Sequence, residues 1–239
     1  MSLSNQHVVV LGGTSGIGLA TARAAAGQGA RVTVVSSSAA RVGKAVADLP
    51  EGSRGEVADL ADPAQVAAVF ARIGSFDHLV YTAGEQLTLT ALDGLDLAAA
   101  RDAFTLRCFG ALGAVAAAAP YLSPEGSVVL TTGIAKDRPG AGWTVAAAIC
   151  GAVEAMVRAM AVELAPVRVN AVSPGIVRTP LWSAMDDADR EAMYAQTAAA
   201  LPVGRVGSPE DIAEAYVFLL RERFATGTVL TVDGGGVLV

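Results

Sequence analysis

Short runs of apolar, mostly β-branched residues alternate along this chain with longer stretches whose apolar positions recur every three or four residues. The first run is His7–Leu11 (HVVVL), apolar throughout and of strand length. A glycine-rich turn follows, then the helical pattern GLATARAAAGQGA. Arg31–Val35 (RVTVV) reads as a second strand, ARVGKAVADL as a helix, and GEVADL holds a short third strand. PAQVAAVFARIG opens near Pro63 and closes on Gly74, the usual punctuation of a helix. DHLVYTAG is a fourth strand, and a long helical region lies between Leu97 and Leu122. GSVVLTT is a fifth strand, followed by a loop and the helix in GWTVAAAICGAVEAM. VRVNAVSPG gives a sixth strand, and a loop with a helical segment spans Thr179 to Ala200. SPEDIAEAYVFLL begins with Ser208 as N-cap, Pro209 at N1 and acids in its first turn; GTVLTVDGG is a last strand.

Each strand is apolar along its whole length, which suits strands covered on both faces. The pattern predicts the α/β class. It gives a single doubly wound Rossmann domain over residues 1–239, with a mainly parallel seven-stranded sheet and helices on both faces. Ligands are expected outside the carboxyl ends of the strands.

Composition narrows the function. At 53% hydrophobic and 17% charged, the 239 residues supply one sizeable core, and disorder is not expected. A net charge of -6, with lysine only at Lys44 and Lys136, argues against a nucleic-acid partner. Cys108 and Cys150 are too few for a disulfide framework, so a cytoplasmic setting is expected. The run FGALGAVAAAAPYL is Ala-rich, short and carries Pro120, so it reads as a buried helix and no membrane partner is expected. His7 and His78 stand singly and offer no metal set.

The turn LGGTSGIG carries the first sign of chemistry. Gly12, Gly16 and Gly18 stand after a strand and open a helix, with a second strand beyond. Close backbone approach needs residues without Cβ, and the helix N-terminus offers amides and a positive dipole end to a pyrophosphate. The other reading is a tight turn with only a structural role.

Several further motifs follow in order: Asp59-Leu60, YTAG (Tyr81 to Gly84), RVNAVSPGIVRTP, GRVGSPEDIA and VDGG. With them the chain resembles the short-chain dehydrogenase/reductase family almost end to end. LGGTSGIG is similar to the family's TGxxxGxG loop, with Leu11 where Thr is usual, and YTAG stands where NNAG is usual. The resemblance implies hydride transfer between NAD(P) and a carbonyl or alcohol, and assembly as a homodimer or homotetramer. It places the dinucleotide against Gly12, Thr14, Ser15, Gly16, Ile17 and Gly18, then Ser36, Ser37 and Ser38. Asp59 and Leu60 lie at the adenine, Ala83 and Gly84 beyond them, and Pro174, Gly175, Val177 and Thr179 at the nicotinamide.

The second strand ends in Ser36–Ser38, where NAD-preferring relatives carry an acid for the ribose 2′-OH. No acid repels a 2′-phosphate here, and three hydroxyls with Arg41 could cradle one, which favours NADP over NAD. The other reading makes Ser38 only a helix cap and Arg41 only a solvated charge.

The resemblance also marks what is missing. Family members use a Tyr and a Lys one helical turn later, a Ser that polarises the substrate oxygen, and an Asn that supports a proton-relaying water. These positions hold Ala146, Cys150, Gly133 and Arg107. A check without alignment agrees: four residues beyond Tyr81, Tyr121, Tyr194 and Tyr216 stand Glu85, Glu125, Ala198 and Leu220, never a Lys. Candidate substitutes are Thr132, Tyr81, Glu85, Lys136 and Tyr194, of which Tyr81 reads better as wall packing and Lys136 as a solvated loop charge. Arg107 has two readings, a seat for an anionic substrate or an ion pair filling the Asn's space. The outcome is an oxidoreductase by resemblance whose catalysis, if any, uses other residues, or a nucleotide-binding pseudoenzyme. The substrate is a small molecule of unknown kind, held under the segment Leu181 to Ala200, where Trp182, Met185 and Tyr194 suggest either an apolar lining or the packing face of a covering helix.

Overall fold

The computed structural model describes residues 2–85 and 89–239. Seven strands form one sheet in the order β3-β2-β1-β4-β5-β6-β7. They are β1 (His7–Leu11), β2 (Arg31–Ser36), β3 (Arg54–Val57), β4 (Phe76–Tyr81), β5 (Leu122–Thr131), β6 (Arg168–Pro174) and β7 (Val229–Val232). Every neighbouring pair is parallel. Strand order reverses direction between β1 and β4, which opens a crevice at their carboxyl ends.

Successive strand residues face opposite sides of the sheet, and both sides are buried. Val9, Leu11, Leu79 and Leu130 face one layer with α5 (Ala111–Ala118) and α6 (Thr144–Glu163). Val8, Val10, Val80 and Val129 face the other, with α1 (Gly16–Gly27) and α8 (Pro209–Arg221). That is why the strands read as unbroken apolar runs. The helices start where the sequence expects. Asp62 caps α3 (Pro63–Ile73) through the amides of Ala64 and Gln65. Ser208 and Asp211 form a capping box on α8.

The region between Leu97 and Leu122 departs from the expected continuous helix. It divides into α4 (Leu97–Phe104), a π-helical turn (Thr105–Gly110), α5 and a 3-10 turn (Ala119–Tyr121), and β5 begins directly at Leu122. The Tyr81 hydroxyl donates to the Leu106 carbonyl at 2.6 Å, so a wall residue of β4 holds the wide turn that carries Arg107. The segments Leu97–Tyr121 and Thr144–Glu163 are long and apolar enough to cross a membrane by length and composition. Each lays one face on the sheet, through Ala111, Ala114, Val153 and Val157. Their outer faces expose Leu97, Phe109, Leu112 and, at 80% accessible, Val162.

His7 and His78 are buried on adjacent strands. His7 Nε2 meets Thr33 Oγ1 and His78 Nδ1 meets Ser127 Oγ, both at 2.8 Å. Among the described residues no group of three His, Cys, Asp or Glu could hold a metal. Burial pushes the His78 pKa down from 6.5 to about 4. The unfolded chain therefore binds more protons between those values, and stability falls as pH drops through that window. The loss from His78 is about 3 kcal/mol once both states are protonated, and it is absent above pH 6.5. Urea melts of wild type and His78→Gln at pH 7.5 and 4.5 measure it. The variant is expected to lose less stability on acidification than wild type, and an equal loss would contradict this assignment.

Candidate functional site

Two cavities meet at the crevice. The first is a polar cleft of about 490 Å³ that runs past the glycine loop, the end of β2 and Asp59. The second is a mainly apolar cavity of about 730 Å³ lined from β5, α6, the segment after β6 and α7 (Asp187–Ala200). Ile17, Thr82, Ala83, Arg107, Thr131 and Thr179 line both, so the spaces are continuous.

The cleft depends on missing side chains. Gly12 has φ +84°, and a Cβ there would lie 2.7 Å from the Ala83 nitrogen. A Cβ on Gly18 would collide with the Gly12 carbonyl and Thr82 Oγ1. Thr82 in turn donates to the Leu11 carbonyl at 3.0 Å, locking β1 and β4 together at their ends. Ser15 is the N-cap of α1 but makes no side-chain cap, so the first amides of the helix are left for a ligand. Thr14, Ser15, Gly16 and Ile17 line the same cleft.

At the far end the cleft is lined by Ser36, Ser37 and, at its exposed rim, Arg41. Ser38 does not join them: its hydroxyl accepts the Arg41 amide and caps α2 (Ala39–Ala47). Of its two sequence readings, phosphate contact or helix cap, the structure shows the cap. Ala58, Asp59 and Leu60 leave β3 and run along the cleft. The Asp59 carboxylate accepts the Ala61 amide at 2.9 Å, and its own amide donates to Gln65 Oε1, which fixes this wall. Gly84 completes it.

Pro174, Gly175 and Val177 line the apolar cavity beside Thr179. Gly175 is as bare as it must be, since a Cβ would sit 2.8 Å from Asp233 Cα. Asp233, from the VDGG turn, lines the cavity, but its carboxylate already accepts the amides of Gly235 and Val237.

Arg107, Gly133, Ala146 and Cys150 come from three different elements and line this one cavity. None is a Tyr or a Lys. Ala146 offers a methyl group. Burial pushes the Cys150 thiol up, so it stays neutral. The Thr132 hydroxyl lines the cavity but donates to the Cys150 carbonyl at 3.1 Å. The Tyr81 hydroxyl is spent on Leu106, and burial holds its pKa well above the ordinary range. Tyr81 is a wall, as its sequence position indicates.

Two expectations need correction. Lys136 is not a solvated loop charge and does not line the cavity. Its ammonium pairs with Asp137 at 2.5 Å and with Glu154 of α6 at 3.2 Å, and the Glu154 side chain is only 8% exposed. A nearly buried carboxylate on an apolar helix needs a counter-charge, and the loop supplies it. The sequence signal was the lone acid in GAVEAM. Tyr194 and Met185 also fail to line the cavity. Tyr194 is buried against Trp182 and Val206. The Arg178 guanidinium lies over its ring at 4.3 Å while it chelates Glu191 at 2.8 and 2.9 Å. Met193, Trp182 and the unanticipated Trp143 and Ile149 supply apolar wall instead.

An open parallel sheet with a bare-glycine cleft at its switch point defines a Rossmann-type dinucleotide fold. Residues 12–236 match the family model described as enoyl-(acyl carrier protein) reductase. The chain is 34% identical over 252 residues to short-chain dehydrogenase/reductase ATR9 of Stachybotrys chlorohalonatus, with 99% of each chain covered. A solved small-chain dehydrogenase in complex with NADPH superposes with a TM-score of 0.87 at 38% identity, covering 98% of this chain and 99% of that one. The MalC reductase/Diels-Alderase of Malbranchea aurantiaca superposes with a TM-score of 0.91 at 29% identity, covering 99% of this chain and 98% of that one. The chain belongs to the short-chain dehydrogenase/reductase family.

The Tyr81 assignment has a direct check. Tyr81→Phe leaves the Leu106 carbonyl without its donor and is expected to cost about 1–2 kcal/mol in urea denaturation. A neutral substitution would mean that this hydroxyl does not hold the π-helical turn.

Proposed function

We propose that the protein binds a nicotinamide dinucleotide across the polar cleft, NADP(H) ahead of NAD(H), and holds an apolar small molecule in the joined cavity. It does so without the Tyr-assisted carbonyl reduction of its family. One observation supports this reading: Arg107, Gly133, Ala146 and Cys150, which the resemblance sets at the positions of the family's proton shuttle, all line one cavity.

The cradle fits the group. The loop Gly12–Gly18 leaves backbone and helix amides for a pyrophosphate. Ser36, Ser37 and Arg41 suit a 2′-phosphate, and no acid stands among Ser36–Ser38 at the end of β2. The bound nicotinamide would supply or accept a hydride. The chain's own residues would orient it through Val177 and Thr179 and keep water out with Trp143 and Trp182. General acid–base help is worth ~10²–10⁴-fold, so its loss leaves simple ketones poor substrates. The exposed apolar faces of α4–α5 and α6 support assembly as a homodimer or homotetramer.

A second reading comes from the Malbranchea aurantiaca relative, which is named both a reductase and a Diels-Alderase. A cycloaddition moves no net proton, so a cavity without a shuttle does not hinder it.

Calorimetric titration tests the nucleotide claim. NADPH is expected to bind more tightly than NADH, and Arg41→Ala to weaken NADPH about tenfold while sparing NADH. Ser36→Asp is expected to reverse the order. Equal affinities that ignore both substitutions would defeat the preference, and no binding of either dinucleotide would defeat the whole reading.

Restoring the shuttle tests the catalytic claim. A Cβ at Gly133 would sit 3.4 Å from Cys150 Sγ, an ordinary contact, so a serine fits. The combination Arg107→Asn, Gly133→Ser, Ala146→Tyr and Cys150→Lys is expected to raise NADPH-dependent ketone reduction by about 100-fold or more. Wild type that already reduces a ketone panel quickly, or a folded, nucleotide-binding variant with no gain, would contradict it.

A further inference from the structure

Three charged residues, Arg107, Arg138 and Asp233, line the apolar cavity, and Arg107 alone of them also lines the polar cleft. Arg107 rises from the π-helical turn at the junction of the two spaces, with its side chain 24% exposed. Its guanidinium lies against bare backbone: a Cβ on Gly84 would be 2.7 Å from Arg107 Cζ. One nitrogen donates to the Glu85 carbonyl. The head group is therefore positioned by main chain.

Its carboxylate neighbour does not use it up. The Glu85 carboxylate stands 3.6 Å from Arg107 Nε, and Glu85 is 44% exposed. Two other arginines of this protein are held by their acids far more closely. Arg178 holds Glu191 at 2.8 and 2.9 Å, and Arg205 holds Asp211 at 2.6 and 2.8 Å. A guanidinium has five N–H donors, and no further partner of Arg107 exists among the described residues.

The other ionisable groups of the apolar cavity do not compete for an anion. Asp233 is occupied by two backbone amides, the Tyr81 hydroxyl by Leu106, and Cys150 carries no charge. Arg138 adds a second, exposed cation to the lining. The remaining lining is apolar, with Trp143, Trp182, Ile149 and Met193 in it.

Resting on the function proposed above, we infer that the small-molecule ligand is an apolar body bearing one carboxylate or comparable oxyanion, and that Arg107 is its anion seat. In a low-dielectric wall a fixed guanidinium gains most from a planar, two-oxygen partner. A positive inner end and an apolar body of about 730 Å³ match such a molecule and select against cations and sugars.

Biphenyl-4-carboxylate and biphenyl-4-carboxamide share shape and differ in charge, so they isolate the seat. They are titrated calorimetrically against wild type, Arg107→Ala, Arg107→Gln and Arg138→Ala, each with and without saturating NADPH. Wild type is expected to prefer the carboxylate by about tenfold or more. Both Arg107 variants are expected to lose that preference, so one folded variant suffices, and the melting temperature identifies it. The inference is overturned if wild type binds both probes equally or neither, if the preference persists without Arg107, or if Arg138→Ala alone removes it. It is also overturned if Arg107→Ala weakens NADPH and spares the carboxylate, since the guanidinium would then serve the nucleotide. A lack of NADPH binding in wild type defeats the proposed function by itself, and the titrations without NADPH still read the seat.

Discussion

Helix α1 can approach β1 and β4 closely because Gly12 and Gly18 have no side chains. A methyl group on Gly18 would strike the Gly12 carbonyl and Thr82 Oγ1, and one on Gly12 would strike the backbone at Ala83. The contact sets the helix start directly over the ends of the two central strands. It also fixes the crevice, because β1 and β4 are where strand order reverses. α1 then packs on α8 through the second core layer, so the loop is braced from behind by Ala22, Ala25, Ile212 and Tyr216. A larger residue at either glycine would displace the helix and close the cleft with it.

The floor between the two cavities is held by a short polar chain inside an apolar core. Thr131 Oγ1 donates to the Tyr81 carbonyl at 2.6 Å and shares a hydrogen bond with the Tyr216 hydroxyl at 2.5 Å. Tyr81 in turn holds the Leu106 carbonyl and with it the turn bearing Arg107. One network thus connects α8, the ends of β4 and β5, and Arg107, the one charged side chain among the described residues that lines both cavities. Buried hydrogen bonds of this kind are costly to leave unmade, so the site is stiff where Arg107 is aimed.

Much of this was legible in the residues. Continuous apolar runs give the parallel sheet, and Pro63, Gly74 and the SPED start give helix ends. The chain holds no Tyr-x-x-x-Lys, and Arg107, Gly133, Ala146 and Cys150, which the resemblance sets at the family's catalytic positions, all line one cavity. Other features depend on long-range partners and left no local trace. The π-helical turn follows from a hydroxyl on a strand 25 residues away. Lys136 finds a buried acid on another element, and Tyr194 turns under Arg178 instead of into the cavity. Ser38 reads in sequence as a phosphate contact or a cap, and the start of α2 shows the cap.

The central claim is that a dinucleotide seat adjoins a cavity lacking a proton shuttle. A crystal structure of the protein with NADPH bound tests it most directly. The account expects the nicotinamide ring beside Val177 and Thr179, with its reactive carbon facing the wall of Ala146 and Gly133 and Arg107 the nearest charged side chain. A cleft that side chains fill, or a Tyr, Lys or His reaching to within hydrogen-bonding distance of a substrate placed on that carbon, would contradict it.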